Sequence, residues 1–102
     1  MKKYSELYEE YVYSLLCIHE PDKYWYWQFT YGKTYKVYKS PMHGLRVKDD
    51  NGHYSNLDNR ASLYHETFVN GKTFYEYMNC ILANFRSIEE YEKWKSFQKF
   101  GL

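Results

Sequence analysis

Lys33-Thr34-Tyr35-Lys36-Val37-Tyr38-Lys39 alternates, with Tyr35 and Val37 on one side of an extended chain and Thr34 and Lys36 on the other. A β-strand sorts residues this way because successive side chains point to opposite faces. Leu45-Arg46-Val47-Lys48 alternates again, and Ser40-Pro41-Met42-His43-Gly44 between them reads as a connection. Asp50-Asn51-Gly52 follows directly. Asn-Gly is the strongest short-range hairpin signal, since both residues tolerate positive φ, so a partner strand is expected from His53 to about Asp58. Short strands joined by tight turns point to a small antiparallel sheet or barrel.

Upstream, Tyr4, Leu7, Tyr8, Tyr11, Val12, Leu15 and Leu16 follow the spacing of one helical stripe. Tyr11 to Ile18 is also a dense apolar run of strand length, bounded by Pro21. Periodicity alone leaves both readings open. The division adopted is a helix from about Lys3 to Tyr11 and a strand onward to His19. Downstream, a strand is expected from Leu63 to Val69, ended by Asn70-Gly71. Thr73-Phe74-Tyr75-Glu76 has the form of a capping box, and Phe74, Tyr77, Met78, Ile81, Leu82 and Phe85 continue a helical stripe behind it. Ser87-Ile88-Glu89-Glu90 opens a second helix, with Lys93, Lys95 and Lys99 toward its carbonyl end, Glu89 and Lys93 as an i, i+4 pair, and Gly101 as its C-terminal cap.

The chain has 102 residues and a formal charge of +1, a size and balance that suit one domain and argue against wholesale disorder. Its 14 Tyr, 6 Phe and 3 Trp outnumber the 15 Leu, Ile and Val. Each ring buries roughly 150–250 Å², so a few of them close a small core, and the rest leave a surface of interface-like composition. Tyr11 to Ile18 is far short of the roughly 20 residues a membrane helix needs, and acids rather than bases precede it. Cys17 and Cys80, distant in sequence and each in an apolar pattern, are expected as two buried reduced thiols.

Leu15-Leu16-Cys17-Ile18, then Phe29-Thr30-Tyr31-Gly32-Lys33-Thr34-Tyr35-Lys36-Val37, then Val47-Lys48-Asp49-Asp50-Asn51-Gly52 stand in an order that resembles a group of small bacteriophage and prophage proteins with a Src-homology-3-like barrel. The match covers roughly residues 12–69, and it favours a strand from about Val12 to His19. The resemblance implies an α+β fold: a small antiparallel Src-homology-3-like β-barrel of about four to five strands, with an N-terminal helix and two C-terminal helices added by this chain. The expected organisation is one domain over 1–102, with the barrel core in 12–69 and a helical extension in 73–102. Helical ends have no counterpart in short members of the group, and Tyr54 to Val69 is longer than usual. Fold alone does not carry function.

Between Lys23 and Lys48 stand six basic residues and no acid, interleaved with Tyr24, Trp25, Tyr26, Trp27, Phe29, Tyr31, Tyr35 and Tyr38. One reading is a protein-docking surface anchored by Trp25, Trp27 and Tyr31, because Trp and Tyr at interface centres each contribute about 2 kcal/mol or more. The alternative is a nucleic-acid surface using Lys33, Lys36, Lys39, Arg46 and Lys48 with rings stacking on bases. The third is plain filling of the core by alternate rings, with lysines solvating the outside; Tyr35 and Val37 belong there. Trp25 and Trp27 share a side of an extended loop, so one alternating set is expected to be exposed. The near-neutral total weighs against nucleic acid.

Signals for chemistry are weak. Cys17-x-His19 offers two ligands where a tetrahedral zinc site needs four, and Asp49-Asp50-Asn51-Gly52 lacks the alternating acids of a calcium loop. His43, His53 and His65 have no motif-paired nucleophile, and no glycine loop is built to cradle phosphate. The expectation is a non-enzymatic protein without cofactor or metal. The resemblance implies an accessory protein of a phage or mobile element, acting in the host cytoplasm on a host protein such as an enzyme or a defence complex, a CRISPR effector included.

Overall fold

The computed structural model describes residues 10–57 and 62–100, without the side chains of 99 and 100. Seven strands, β1 (Glu10–His19), β2 (Thr34–Ser40), β3 (Gly44–Lys48), β4 (Tyr54–Asn56), β5 (His65–Val69), β6 (Lys72–Tyr77) and β7 (Cys80–Ala83), precede one helix, α1 (Ile88–Phe100). They form a single sheet in the order β4-β3-β2-β1-β7-β6-β5, with every neighbouring pair antiparallel. Two meanders therefore meet at β1, which pairs with β2 along one edge and β7 along the other.

β1 shows register shifts between Tyr11 and Tyr13 and between Cys17 and His19. Bulges of this kind bend a strand and strengthen its twist, and here the sheet curls into a half-barrel. Its inner face carries the main core: Leu15 and Cys17 of β1, Tyr35 and Val37 of β2, Val47 of β3, Tyr75 of β6, and Cys80 and Leu82 of β7. Phe29, Leu57 and Tyr64 close it from the loops. On the outer face α1 covers only the β1-β7-β6 side, where Ile88, Tyr91 and Trp94 pack on Leu16, Ala83 and Phe85, flanked by Ile18 and Phe74. That arrangement explains the dense run in β1. Leu15 and Cys17 face one core while Leu16 and Ile18 face the other, so no polar alternation survives.

The barrel of four to five strands with three helices is thus corrected to an open seven-stranded sheet with one helix among the described residues. The expected helix over 73–85 is instead the β6–β7 hairpin, in which Tyr77 pairs with Cys80 across Met78-Asn79. With Phe74 and Phe85 under α1 and Tyr75 and Leu82 in the inner core, both faces are apolar, and a doubly covered hairpin imitates a helical stripe. Its turn places Met78 at φ 54°, a conformation without the usual glycine to announce it. The expected N-terminal helix lies mostly outside the described residues; Glu10 and Tyr11, its last two, are already strand.

The strands expected over 33–39 and 45–48 form β2 and β3, and of the one expected from His53 to about Asp58 the residues Tyr54–Asn56 form β4. Asn70 and Gly71, at φ 45° and 83°, make the two-residue turn between β5 and β6. At α1 the Ser87 hydroxyl accepts the Glu90 N–H at 3.2 Å, while the Glu90 carboxylate accepts the Arg86 N–H at 2.6 Å. That backbone hydrogen bond holds the Glu90 carboxyl below its ordinary value. Glu89 and Lys93 pair at 3.8 Å, largely in solvent, and add little. No helix among the described residues is long and apolar enough to cross a membrane.

Candidate docking site at the aromatic loop

The loop between β1 and β2 is held by its backbone. The Asp22 carboxylate accepts the Tyr24 N–H at 2.8 Å and the Asp22 carbonyl accepts the Trp25 N–H at 2.9 Å, a tight turn that carries Tyr24 outward. Gln28 then caps the turn, its amide donating to the carbonyls of Asp22 at 3.0 Å and Trp25 at 2.5 Å. Its own backbone is clamped to the β3–β4 connection, its N–H donating to Asp49 Oδ2 at 2.8 Å and its carbonyl accepting the Asp50 N–H at 2.9 Å. Further on, Thr30 N–H donates to the Tyr35 hydroxyl at 2.6 Å and Tyr31 N–H to Glu20 Oε2 at 2.9 Å.

Asp50 is the hub on the far side. It accepts the Tyr35 hydroxyl at 2.7 Å, the Thr30 hydroxyl at 2.8 Å and Lys33 Nζ at 3.0 Å. Burial alone would raise its carboxyl, but the three donors and the lysine charge outweigh that and hold it below the ordinary 3.8. Tyr35 moves the other way, since burial and the neighbouring carboxylate both penalise its phenolate.

The loop's rings separate by parity. Trp25 and Trp27 turn inward and are half-buried, while Tyr24 is 84% exposed and Tyr26 59% exposed. Trp27 Nε1 donates to the Tyr54 carbonyl at 2.8 Å, and its ring meets Trp25 at 5.5 Å and Tyr26 at 4.9 Å. Tyr26 stacks on His53 at 4.5 Å. Trp25 packs on Tyr77 of the β6–β7 hairpin at 5.1 Å. Beside that contact opens a cavity of about 410 Å³, between Asp22, Tyr24 and Trp25 of the loop and Tyr77, Met78 and Asn79 at the hairpin turn. Met78, 70% exposed, forms its outer lip.

Of the three expected anchors, Trp25 lines this cavity, Trp27 packs on Trp25 without lining it, and Tyr31, 48% exposed, stands apart from it. Tyr24, Tyr77 and Met78 are the residues sequence reasoning missed. Tyr24 was legible in the alternation; Tyr77 and Met78 were hidden by the helical reading of their hairpin.

The five expected cations do not share one surface. Arg46 and Lys48 of β3 lie on the outer face beside β4, where Arg46 pairs with Asn56 and Tyr38, and Lys48 with Tyr54. Lys36, opposite Ser14, shares that face, and Tyr11 pairs with Tyr38. The Arg46 guanidinium lies 3.8 Å and Lys48 Nζ 5.2 Å from the Tyr54 ring centroid, and Lys36 Nζ lies 5.9 Å from that of Tyr11. Lys33 is instead paired with Asp50, and Lys39 sits opposite Leu45 at the far end of β2. Cys17 and Cys80 are both free thiols in the inner core, and burial raises each from 9.0 to about 12. Among the described residues no group of three or more His, Cys, Asp or Glu is placed to hold a metal ion. Compared with known proteins, the chain matches no family model, no curated protein and no solved structure.

Proposed function

We propose that this chain is a non-enzymatic protein-binding module that docks its partner at the cavity between the aromatic loop and the β6–β7 turn. One observation carries the reading: the loop is fixed through backbone groups while Tyr24 and Trp25 line an open cavity with Tyr77 and Met78. A loop already ordered loses little conformational entropy on binding, which is the advantage of a prepared surface. The order of the three sequence motifs supports an origin in a phage or mobile element. On that origin the partner is a host cytoplasmic protein, an enzyme or a defence complex such as a CRISPR effector.

The test is capture from host lysate followed by reconstitution with the purified partner. Tyr24→Ala and Met78→Ala, both at exposed positions, should weaken the reconstituted complex by about tenfold or more while the thermal midpoint is kept. Unchanged affinity in both variants would remove the site.

A second reading is supported by Lys36, Arg46 and Lys48 gathering with Tyr11, Tyr38 and Tyr54 on the part of the outer face away from α1. It is a single-stranded nucleic-acid surface. Salt separates the two, since phosphate contacts make log affinity fall linearly with log salt whereas a ring-lined protein interface responds weakly.

A further inference from the structure

We infer that the cavity receives the guanidinium of an arginine side chain carried by the protein partner, with Asp22 as its counter-ion. The inference rests on the docking reading above and names the chemistry of the docked group. The lining holds three rings (Tyr24, Trp25, Tyr77), one thioether (Met78), one amide (Asn79), one carboxylate (Asp22) and no basic side chain. Asp22 is exposed and supplies the charge of the lining, so the cavity presents a negative group beside aromatic surface. A cation complements that charge and is also attracted to aromatic surface. Tyr24 already receives a cation within the chain, since Lys23 Nζ lies 5.1 Å from its ring centroid.

Between the two basic side chains, the inventory favours arginine. A lysine ammonium is a compact, strongly hydrated point charge, so bringing it against aromatic surface strips water that it holds tightly. The guanidinium is planar and weakly hydrated, stacks on aromatic faces, and engages a single carboxylate with two parallel N–H bonds. The Asp22 carboxylate is held in place for this, since it accepts the Tyr24 N–H at 2.8 Å. With about 410 Å³ available, the aliphatic stem has room to enter with its head group.

The experiment uses the full chain, isotope-labelled, and follows the Trp25 indole and the Tyr24 and Asn79 amides by NMR. The titrants are N-acetyl-arginine amide, the lysine equivalent, and the neutral citrulline and norleucine equivalents. The arginine probe should move these signals at millimolar concentration, with the citrulline probe weaker by about tenfold. Asp22→Asn, which keeps an oxygen for the Tyr24 N–H, should remove most of that preference without changing the rest of the spectrum. Equal response to citrulline or norleucine would overturn the inference and leave an apolar docking socket, so the docking reading would survive. A lysine probe as tight as arginine would overturn the choice of guanidinium. No response to any probe would also overturn the inference, while the docking reading would still stand or fall on Tyr24→Ala in the reconstituted complex.

Discussion

Asp49 Oδ2 accepts the backbone N–H of Gln28 at 2.8 Å, joining the aromatic loop to a turn 21 residues further along the chain. The other oxygen of the same carboxylate accepts the N–H groups of Asn51 at 3.0 Å and His53 at 2.7 Å. One buried side chain thus orders both the β3–β4 connection and the loop that forms the candidate site. Hydrogen bonds to a charged group contribute about 1.5–3 kcal/mol each, and a buried donor left without one costs a similar amount. Asp49→Ala should therefore destabilise the protein by at least about 2 kcal/mol in a urea titration, and should also broaden the NMR signals of Tyr24 and Trp25.

Asp50 gives the acid side of stability a sign. Its folded carboxyl lies below the ordinary 3.8, so its contribution is complete above that pH and is lost as pH falls through the folded value. Thermal midpoints should fall on acidification below about pH 4. In Asp50→Asn that part of the fall should be missing, with a lower midpoint at neutral pH. An unaltered acid profile in the variant would show that the Tyr35–Asp50–Lys33 group is not the source.

The cysteines act at the other end of the pH scale. Both thiols are raised from 9.0 to about 12 by burial, so they favour the folded state below pH 9 and withdraw that support as pH climbs toward 12. At pH 8.5 the folded protein should resist iodoacetamide, with labelling at the rate of global opening and both sites modified together in denaturant. Fast labelling of Cys17 alone would show that β1 opens locally.

Two hairpin turns make a matched comparison. Gly71 stands at φ 83° with open space where a Cβ would be, so Gly71→Ala should cost about 1 kcal/mol from backbone strain alone. Met78 already bears such strain at φ 54°. Met78→Gly should relieve it, leaving stability within about 1 kcal/mol of the parent after the entropy that glycine adds to the unfolded chain. Denaturant midpoints of the two variants check both.

The sheet was legible wherever one face met water. Tyr35 and Val37 against Lys36 and Thr34 define β2, and the same alternation defines β3. It failed where α1 lies over the sheet, because Phe74 and Tyr75 are adjacent in β6 yet belong to different cores. With polar residues missing from both faces, no local pattern separates strand from helix there. The loop was half legible. Its alternation divides the rings into two sets, but which set turns inward depends on Tyr77, a contact 52 positions from Trp25 in sequence.

The anchoring of the loop has an evolutionary corollary. Asp49, Glu20 and Tyr35 all grip amide groups that any residue other than proline would offer at Gln28, Tyr31 and Thr30. The outward rings can therefore be exchanged one by one while the frame that displays them stays the same, so that under the proposed docking role a change of target needs no change of fold.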